Sequence, residues 1–289
     1  MKETYLDLHT HTVQSDGAYS PLVLCGLARE AKINILAITD HNYTEDLTEL
    51  RSAWPELRII QGAEISCLYT DSQGTTRELH VVALGVDREN PKLKAVLAKN
   101  QPDRKPYIDA ILQRLRHCGI DLGTYEDLCR RNPGKRHIGR MDMAKQMADE
   151  GYVASVEEAF DVYVGSHGEC KAYVPNPLQY VSVEEAVEAI VDAGGAAVLA
   201  HLYYYQLDEA QSRQLLKRFK ELAGPNGAME VFYSRYSQQQ RMALKALADE
   251  YGLMYSAASD FHGQSENDTL CNGFAAADCL PLLNFLGIE

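Results

Sequence analysis

YLDLHTH, at residues 5–11, reads as a short apolar strand that ends in two histidines. Side chains at positions i and i+2 of a strand point to the same face, so His9 and His11 can bind one metal ion together. Imidazole nitrogen combined with carboxylate oxygen is the ligand set that borderline divalent metals prefer. The stretch therefore predicts a metal site at the end of the first strand.

The same residue types recur in short clusters along the rest of the chain, and six of the nine histidines belong to them. The candidate ligands are His9, His11, Asp16, His41, Glu64, His80, His201, Asp260 and His262. Nine ligands exceed the capacity of one mononuclear site. The sequence therefore predicts a centre that holds more than one metal.

Composition limits the classes of function that remain. The 28 Lys and Arg against 41 Asp and Glu give a net charge of −13, which argues against stable DNA binding and against anionic membranes. An anionic substrate stays compatible, because metals reverse the potential inside a cleft. The seven cysteines are an odd number without a C-x-x-C motif, which predicts reduced thiols rather than a disulfide framework. Because the sequence shows neither a signal peptide nor an apolar run of about 20 residues, we expect a cytoplasmic protein.

Strand and helix patterns alternate over most of the chain, which predicts an α/β fold with a mainly parallel sheet. The predicted strands are Tyr5–His9, Ile35–Thr39, Arg58–Ala63, Leu79–Leu84, Ala196–His201, Ala228–Phe232 and Leu253–Ala257. Most candidate ligands, and Glu230 with them, lie at or just past the end of such a strand. Because catalytic residues converge at that rim of an α/β barrel, we expect an irregular (β/α)7-type barrel.

The alternation stops between Val86 and Pro177, where helical patterns such as Lys105–His117 dominate. We predict a barrel domain from residues 1–86 and 179–289 that carries a helical insertion at residues 87–178. The insertion is expected to form a cap over the mouth of the barrel. The alternative is an insertion packed against the barrel's side.

Taken in order, the clusters resemble the successive motifs of the PHP (polymerase and histidinol phosphatase) family. The motifs are His9-Thr10-His11, Asp16-Gly17, Thr39-Asp40-His41, Gly62-Ala63-Glu64, His80, Ala200-His201 and Ser259-Asp260-Phe261-His262. The resemblance implies a PHP barrel with three divalent metals, of which Mn²⁺, Fe²⁺ or Zn²⁺ suit the ligands.

The resemblance also implies how the ligands divide among the metals. The first metal would take His9, His11, Glu64 and Asp260. The second would share Glu64 and take His80 and His201, and the third would take Asp16, His41 and His262. Asp7 and Asp40, beside these ligands, would either orient imidazoles or cap the end of a strand or a turn.

Segments around Arg136–Arg140 and Lys171–Pro175 resemble those of a subgroup of small nucleotide phosphoesterases. The predicted substrate contacts are Arg136, His137, Arg140, Lys171 and Arg235, since guanidinium groups bind phosphate well. A solvated helix face is the alternative for the arginines, and a helix start is the alternative for His137. Arg136 and Arg140 would share a face if the helix begins early enough.

The chain departs from this subgroup after His201, where Leu202 replaces a proline and no arginine follows nearby. Three tyrosines, Tyr203–Tyr205, stand there instead. They would either stack on a nucleobase or pack beneath the insertion.

The resemblance implies a metal-dependent phosphoric ester hydrolase that uses a metal-activated hydroxide and releases phosphate. Its most specific form is removal of the 3′-phosphate from nucleoside 3′,5′-bisphosphates or 5′ to 3′ trimming of short 5′-phosphorylated RNA. Histidinol-phosphate hydrolysis is the alternative within enzymes. A non-catalytic PHP interaction module is the alternative of another class.

Overall fold

The computed structural model describes residues 4–101, 104–136, 138–165, 172, 174, 180–264, 268–270 and 273–288. The chain divides into two compact units, residues 1–100 with 180–289 and residues 101–179. The second unit thus begins at 101, whereas the sequence places the start of the insertion at 87. The helix Pro91–Lys99 accounts for the difference, because Leu93 and Leu97 are buried in the hydrophobic core of the first unit.

Eight strands of the described residues form the sheet of the first unit. They are β1 (Tyr5–Asp7), β2 (Ile33–Ile38), β3 (Arg58–Thr70), β4 (Thr76–Leu84), β5 (Val181–Ser182), β6 (Ala196–Leu199), β7 (Gly227–Tyr233) and β8 (Met254–Ala258). Seven follow the order β1-β2-β3-β4-β6-β7-β8, while the short β5 pairs with β3. Just past β1, the amide of Leu8 donates to the carbonyl of Ala257 (3.0 Å), so the first and last strands are joined into a ring. The predicted α/β fold class is confirmed.

Two details of the sheet differ from the sequence prediction. Strand β4 runs antiparallel to both β3 and β6, which the sequence did not indicate, while the other five strand pairings of the described residues are parallel, as the prediction of a mainly parallel sheet requires. Glu64 lies in the middle of β3 rather than at its end, because β3 continues past its pairing with β2, which stops at Gln61, to form the hairpin with β4. Glu64 is therefore just beyond the parallel part of the ring.

The helices of the described residues lie between these strands and in the second unit. They are α1 (Pro21–Glu30), α2 (Thr48–Ala53), α3 (Pro91–Lys99), α4 (Lys105–His117), α5 (Tyr125–Arg131), α6 (Arg140–Asp149), α7 (Val156–Ala159), α8 (Val183–Asp192), α9 (Glu209–Ala223), α10 (Gln238–Tyr251) and α11 (Leu280–Phe285). Among them, none has the length and apolar character needed to cross a membrane.

Alternation along the strands separates the core inside the ring from the core under the helices. In β6 and just after it, Ala196, Val198 and Ala200 belong to the cluster inside the ring, whereas Ala197 and Leu199 belong to the cluster under the helices. The small side chains fit the limited space inside a closed ring. This packing fixes the strand ends from which the candidate ligands project.

The second unit has a hydrophobic core of its own. The apolar stripe of α4 is buried there as its spacing predicts, and α7 leads into a π-helical turn at Phe160–Val164. Cys118, at the end of α4, is disulfide-bonded. The expectation that all the thiols are reduced is therefore wrong, since an odd count of cysteines does not exclude one bond. Cys25, Cys67, Cys129 and Cys279 are free.

Candidate metal centre

All nine predicted ligands lie in the first unit, on or just after strands of the ring or on the loop before α1. His9 and His11 follow β1, Asp16 precedes α1, His41 follows β2, Glu64 lies in β3, His80 lies in β4, His201 follows β6, and Asp260 and His262 follow β8. Their nitrogen and oxygen atoms form three overlapping groups, and within each group the donor atoms lie within 4.8 Å of one another. The groups are His9, His11, Glu64 and Asp260; His11, Asp16, His41 and His262; and His41, Glu64 and His80.

Glu64 lies at the middle of the centre and is only 1% exposed. Its Oε2 is 3.2 Å from Nε2 of His9, 3.2 Å from Nε2 of His11 and 3.1 Å from Nδ1 of His41. Burial raises the pKa of Glu64, but the nearby imidazoles, His80 foremost, lower it by a larger amount. The pKa therefore lies well below its ordinary value. Glu64 is therefore an anion that can bridge metals.

The other oxygen of Glu64 faces the two remaining histidines. Its Oε1 is 2.8 Å from Nδ1 of His80 and 3.1 Å from Nε2 of His201. The two imidazole rings are 5.2 Å apart. The ligand set predicted for the second metal is thus brought together around one oxygen, although the donor group defined by mutual distance contains His41 in place of His201.

Asp16 holds the outer edge of the centre. Its Oδ1 is 3.3 Å from Nε2 of His262, and its Oδ2 is 3.7 Å from Nε2 of His41. Only glycine fits at the adjacent position 17, because a Cβ on Gly17 would lie 2.6 Å from the carbonyl oxygen of His11. The predicted ligands of the third metal therefore face one another at one edge of the centre.

Hydrogen bonds fix which ring nitrogens point into the centre. Nδ1 of His9 is 2.6 Å from a carboxylate oxygen of Glu230, and Nδ1 of His262 is 2.9 Å from the carbonyl oxygen of Asp260. Both nitrogens therefore donate, which leaves the Nε2 lone pair of each ring free to bind a metal. Nε2 of His9 lies only 3.0 Å from Nε2 of His11, a close approach that a shared cation would relieve.

Several buried polar atoms of the centre form no hydrogen bond within the described residues. They are Oδ1 of Asp16, Nδ1 of His41, Oε2 of Glu64 and Nδ1 of His201. Buried polar atoms without partners are rare and costly in folded proteins. Mixed nitrogen and oxygen donors of this kind fit divalent metals.

Two residues of the centre have backbone conformations that are unfavourable for side chains other than glycine. His201 has φ +28° and Asp260 has φ +55°. Such conformations cost about 1–3 kcal/mol each and persist where the surrounding structure imposes them. Here they aim two donor side chains inward from the ends of β6 and β8.

The family model of the PHP domain matches residues 7–234 of the chain. The chain belongs to the PHP family.

Relatives and a solved structure agree with this placement. The 5′-3′ exoribonuclease Rnm of Escherichia coli is 33% identical over 262 residues, which cover 89% of this chain and 84% of that protein. The 3′,5′-nucleoside bisphosphate phosphatase of Chromobacterium violaceum is 31% identical over 271 residues, covering 90% and 88%. A structure from Bifidobacterium adolescentis, provisionally named a metal-dependent phosphoesterase, has a TM-score of 0.78 and 25% identity, covering 98% and 96%. The predicted phosphoester hydrolase is confirmed, and the PHP centre binds divalent metal.

Glu230 is a part of the PHP centre for which the sequence pattern predicted no role. It is 1% exposed, and besides His9 it accepts from the amide of His201 (2.7 Å). The pairing of β7 with β8 shifts register directly after Glu230, a β-bulge of the kind that re-aims side chains beside active sites. Its place at the end of a predicted strand, among the ligands, was the only signal in the sequence.

Asp7 and Asp40 support neighbouring loops. Asp7 accepts from the amide and hydroxyl of Ser259, and Asp40 accepts from the amide and hydroxyl of Thr12 and from the hydroxyl of Ser15. These contacts match the strand-end and turn capping that the sequence left as one alternative. The two carboxylates hold the loops that carry Asp260 and Asp16.

Arg235 is the predicted substrate contact that lies in the same unit as the PHP centre. It follows β7 with a side chain that is 57% exposed, and its guanidinium is 3.6 Å from Asp268. It also lies over the ring of Tyr233, whose hydroxyl donates to Asp260 (2.9 Å). Arg235 thus contacts Tyr233, which in turn contacts the candidate ligand Asp260.

The remaining predicted contacts belong to the second unit. Arg136 donates to Gln101, and it precedes α6, which begins at Arg140, so the two arginines do not share a helix face. Arg140 donates to the carbonyl of Val164 (3.3 Å) and lies over the ring of Phe160. His137 and Lys171 lie outside the described residues.

Proposed function

We propose that this protein hydrolyses the 3′-phosphate of nucleoside 3′,5′-bisphosphates, or the terminal ester of short 5′-phosphorylated RNA, at a centre of three divalent metals. The metals would be Mn²⁺, Fe²⁺ or Zn²⁺, and the ligands would divide as the family resemblance implies. The observation that carries the proposal is the set of three overlapping donor groups, in which Glu64, His11 and His41 each belong to two groups. Shared donors of this kind suit metals that lie close enough to contact one phosphate together.

In this proposal, the residues of the chain hold the metals and the substrate and do not supply a nucleophile. When bound, divalent metals neutralise phosphate oxygens and supply hydroxide near neutral pH. Burial raises the pKa of the Cys25 and Cys279 thiols to about 12 each, so neither provides the thiolate that a covalent cysteine phosphatase requires. We propose hydrolysis without a covalent enzyme intermediate.

Two kinds of support favour a nucleotide as substrate. The relatives with the names exoribonuclease and bisphosphate phosphatase are similar over most of the chain. In addition, Arg235 has an exposed guanidinium and lies two residues after Tyr233, whose hydroxyl donates to Asp260. We assign Arg235 to a substrate phosphate, and Arg136, His137, Arg140 and Lys171 of the insertion are the further phosphate contacts that we propose.

The test is phosphate release with Mn²⁺ present from adenosine 3′,5′-bisphosphate, a 5′-phosphorylated oligoribonucleotide and histidinol phosphate. We expect turnover of at least one of the first two and little of the third. Asp16→Ala and His262→Ala should abolish turnover and lower the bound metal measured by mass spectrometry. Lys92→Ala, which removes an exposed cation on α3, is the matched control.

Each contrary result has a distinct meaning. Turnover of histidinol phosphate alone would replace the nucleotide proposal with the alternative enzyme. Bound metal without turnover of any of the three substrates would favour a non-catalytic PHP module. Full activity of Asp16→Ala would remove Asp16 from the centre.

A further inference from the structure

A turn of three tyrosines lies directly beside the metal centre. Residues Leu202–Tyr205 form a 3₁₀ turn that follows the ligand His201. Since side chains three residues apart eclipse in such a turn, Leu202 and Tyr205 point inward together. Leu202 is 2% exposed, and the hydroxyl of Tyr205 accepts from the amide of His80 (2.8 Å). The turn is therefore tied to two ligand positions.

The outward side of the turn is supported by Tyr236. The amide of Tyr203 donates to the Tyr236 hydroxyl (3.1 Å), and their rings are 5.2 Å apart. Tyr236 itself packs against Tyr233, with the rings 4.7 Å apart. These contacts leave little freedom for the backbone of the turn.

Tyr204 alone within the turn presents most of its ring to solvent. It is 77% exposed, the largest value among the large hydrophobic side chains that the structure describes. Its ring is 5.5 Å from the ring of His201, at an interplanar angle of 68°. A rigid backbone thus holds an open aromatic face next to the donors of the centre.

The chemistry of the tyrosine turn favours one kind of ligand group. The segment from Leu202 to Leu207 contains no lysine or arginine, so it offers no positive charge to a phosphate. An aromatic ring stacks on any nucleobase, because every base has a π-face. A base attached to a phosphate ester held at the centre is therefore the group that fits.

We propose that Tyr204 is a specificity-determining residue on which the nucleobase of the substrate stacks. The inference rests on the proposed function, since it requires a nucleotide at the metal centre. Its consequence is selectivity for nucleotides over phosphate esters without a base, with little preference among bases.

The test compares a nucleotide with its base-free analogue. In the Mn²⁺-loaded protein, Tyr204→Ala should raise the KM for adenosine 3′,5′-bisphosphate about 5- to 150-fold, the range that corresponds to stacking of one base. The kcat should change little, and the KM for 1-deoxyribose 3,5-bisphosphate should stay constant. Tyr204→Phe should restore the KM, whereas Tyr204→Leu should not. Met242→Ala, which removes an exposed side chain from α10, is the control.

Equilibrium binding of adenosine 5′-monophosphate, measured by calorimetry, gives a second readout that does not depend on turnover. Weaker binding by Tyr204→Ala, with unchanged binding of 1-deoxyribose 5-phosphate, supports the inference. Equal effects on both ligands, or none on either, would overturn it while leaving the proposed function intact. If the wild-type protein hydrolyses only phosphate esters that lack a base, the proposed function itself fails.

Discussion

At the scale of single residues, Glu230 contacts two parts of the metal centre, although it belongs to none of the ligand motifs in the sequence. One buried carboxylate accepts from the ring of His9 and from the amide of His201, two candidate ligands that follow different strands. It orients one imidazole and fixes the strained backbone of the other. Neighbours of this kind tune metal affinity without touching the metal.

The substitution Glu230→Gln tests this role. The amide keeps the shape but loses the charge that favours the Nδ1–H tautomer of His9, so metal affinity should fall about 10- to 100-fold. Competition with a chelator measures this affinity directly. Glu209→Gln, at an exposed position with an i, i+4 partner, should leave metal affinity unchanged. Equal affinities for Glu230→Gln and wild type would show that Glu230 serves only the fold.

At the scale of secondary-structure elements, β2, β3 and β4 approach one another closely just before Glu64. A Cβ on Gly62 would lie 2.7 Å from Cγ2 of Thr39 and 2.9 Å from the carbonyl oxygen of Ala83. Neither neighbour can withdraw easily, because the hydroxyl of Thr39 is hydrogen-bonded to the backbone of Thr10 and Ala83 lies within the β3–β4 pairing. The glycine sets how near the strands come to the bridging carboxylate.

We therefore expect Gly62→Ala to destabilise the protein. The clash should lower the free energy of unfolding by about 1–3 kcal/mol, as overpacking does elsewhere. Chemical denaturation monitored by circular dichroism gives this value. Gly273→Ala is the matched control, since a Cβ there meets no atom of the described residues within 4 Å. Similar unfolding midpoints for the two variants would contradict the proposed crowding.

The sequence predicts the elements better than it predicts their directions and partners. All seven strands of the ring lie where apolar runs place them, because burial sets the pattern of a strand locally. The antiparallel direction of β4 could not be read, since a hairpin and a crossover leave similar patterns in the strand itself. β5 pairs at only two residues, too few for a pattern.

The same limit applies to the site. The histidines and carboxylates are recognisable because donor types cluster in short motifs. The partner of His9, in contrast, is Glu230, which lies 221 residues away and belongs to no such motif. Asp7 and Asp40 sit beside ligands in the sequence, yet their carboxylates support backbone loops. Sequence proximity alone does not distinguish these roles.

At the scale of the whole molecule, the centre without metal holds protons that metal must displace. Burial opposes the charge on His11 and His80, but Asp260 and Glu64 beside His11, and Glu64 beside His80, raise the pKa of each to about 10. Both imidazoles are therefore protonated at neutral pH in the metal-free protein. Metal ligands must give up that proton.

Metal binding should consequently release protons. Since metal competes with protons whose pKa is about 10, the apparent metal affinity should rise with pH through the neutral range and level off near that value. Calorimetric titration with Mn²⁺ at pH 7.5, in two buffers with different ionisation enthalpies, counts the released protons. Identical heats in the two buffers would mean that the imidazoles are already neutral.

The joining of β1 to β8 also sets when activity can arise as the chain is made. Asp7 holds Ser259, a residue synthesised 252 positions later, and the ligands Asp260 and His262 come after it. A growing chain on the ribosome therefore carries His9 and His11 long before their partners exist, and contacts this distant in sequence form late. The last strand must leave the exit tunnel before the centre can close. Until that strand has emerged, the growing chain therefore carries no completed phosphoesterase.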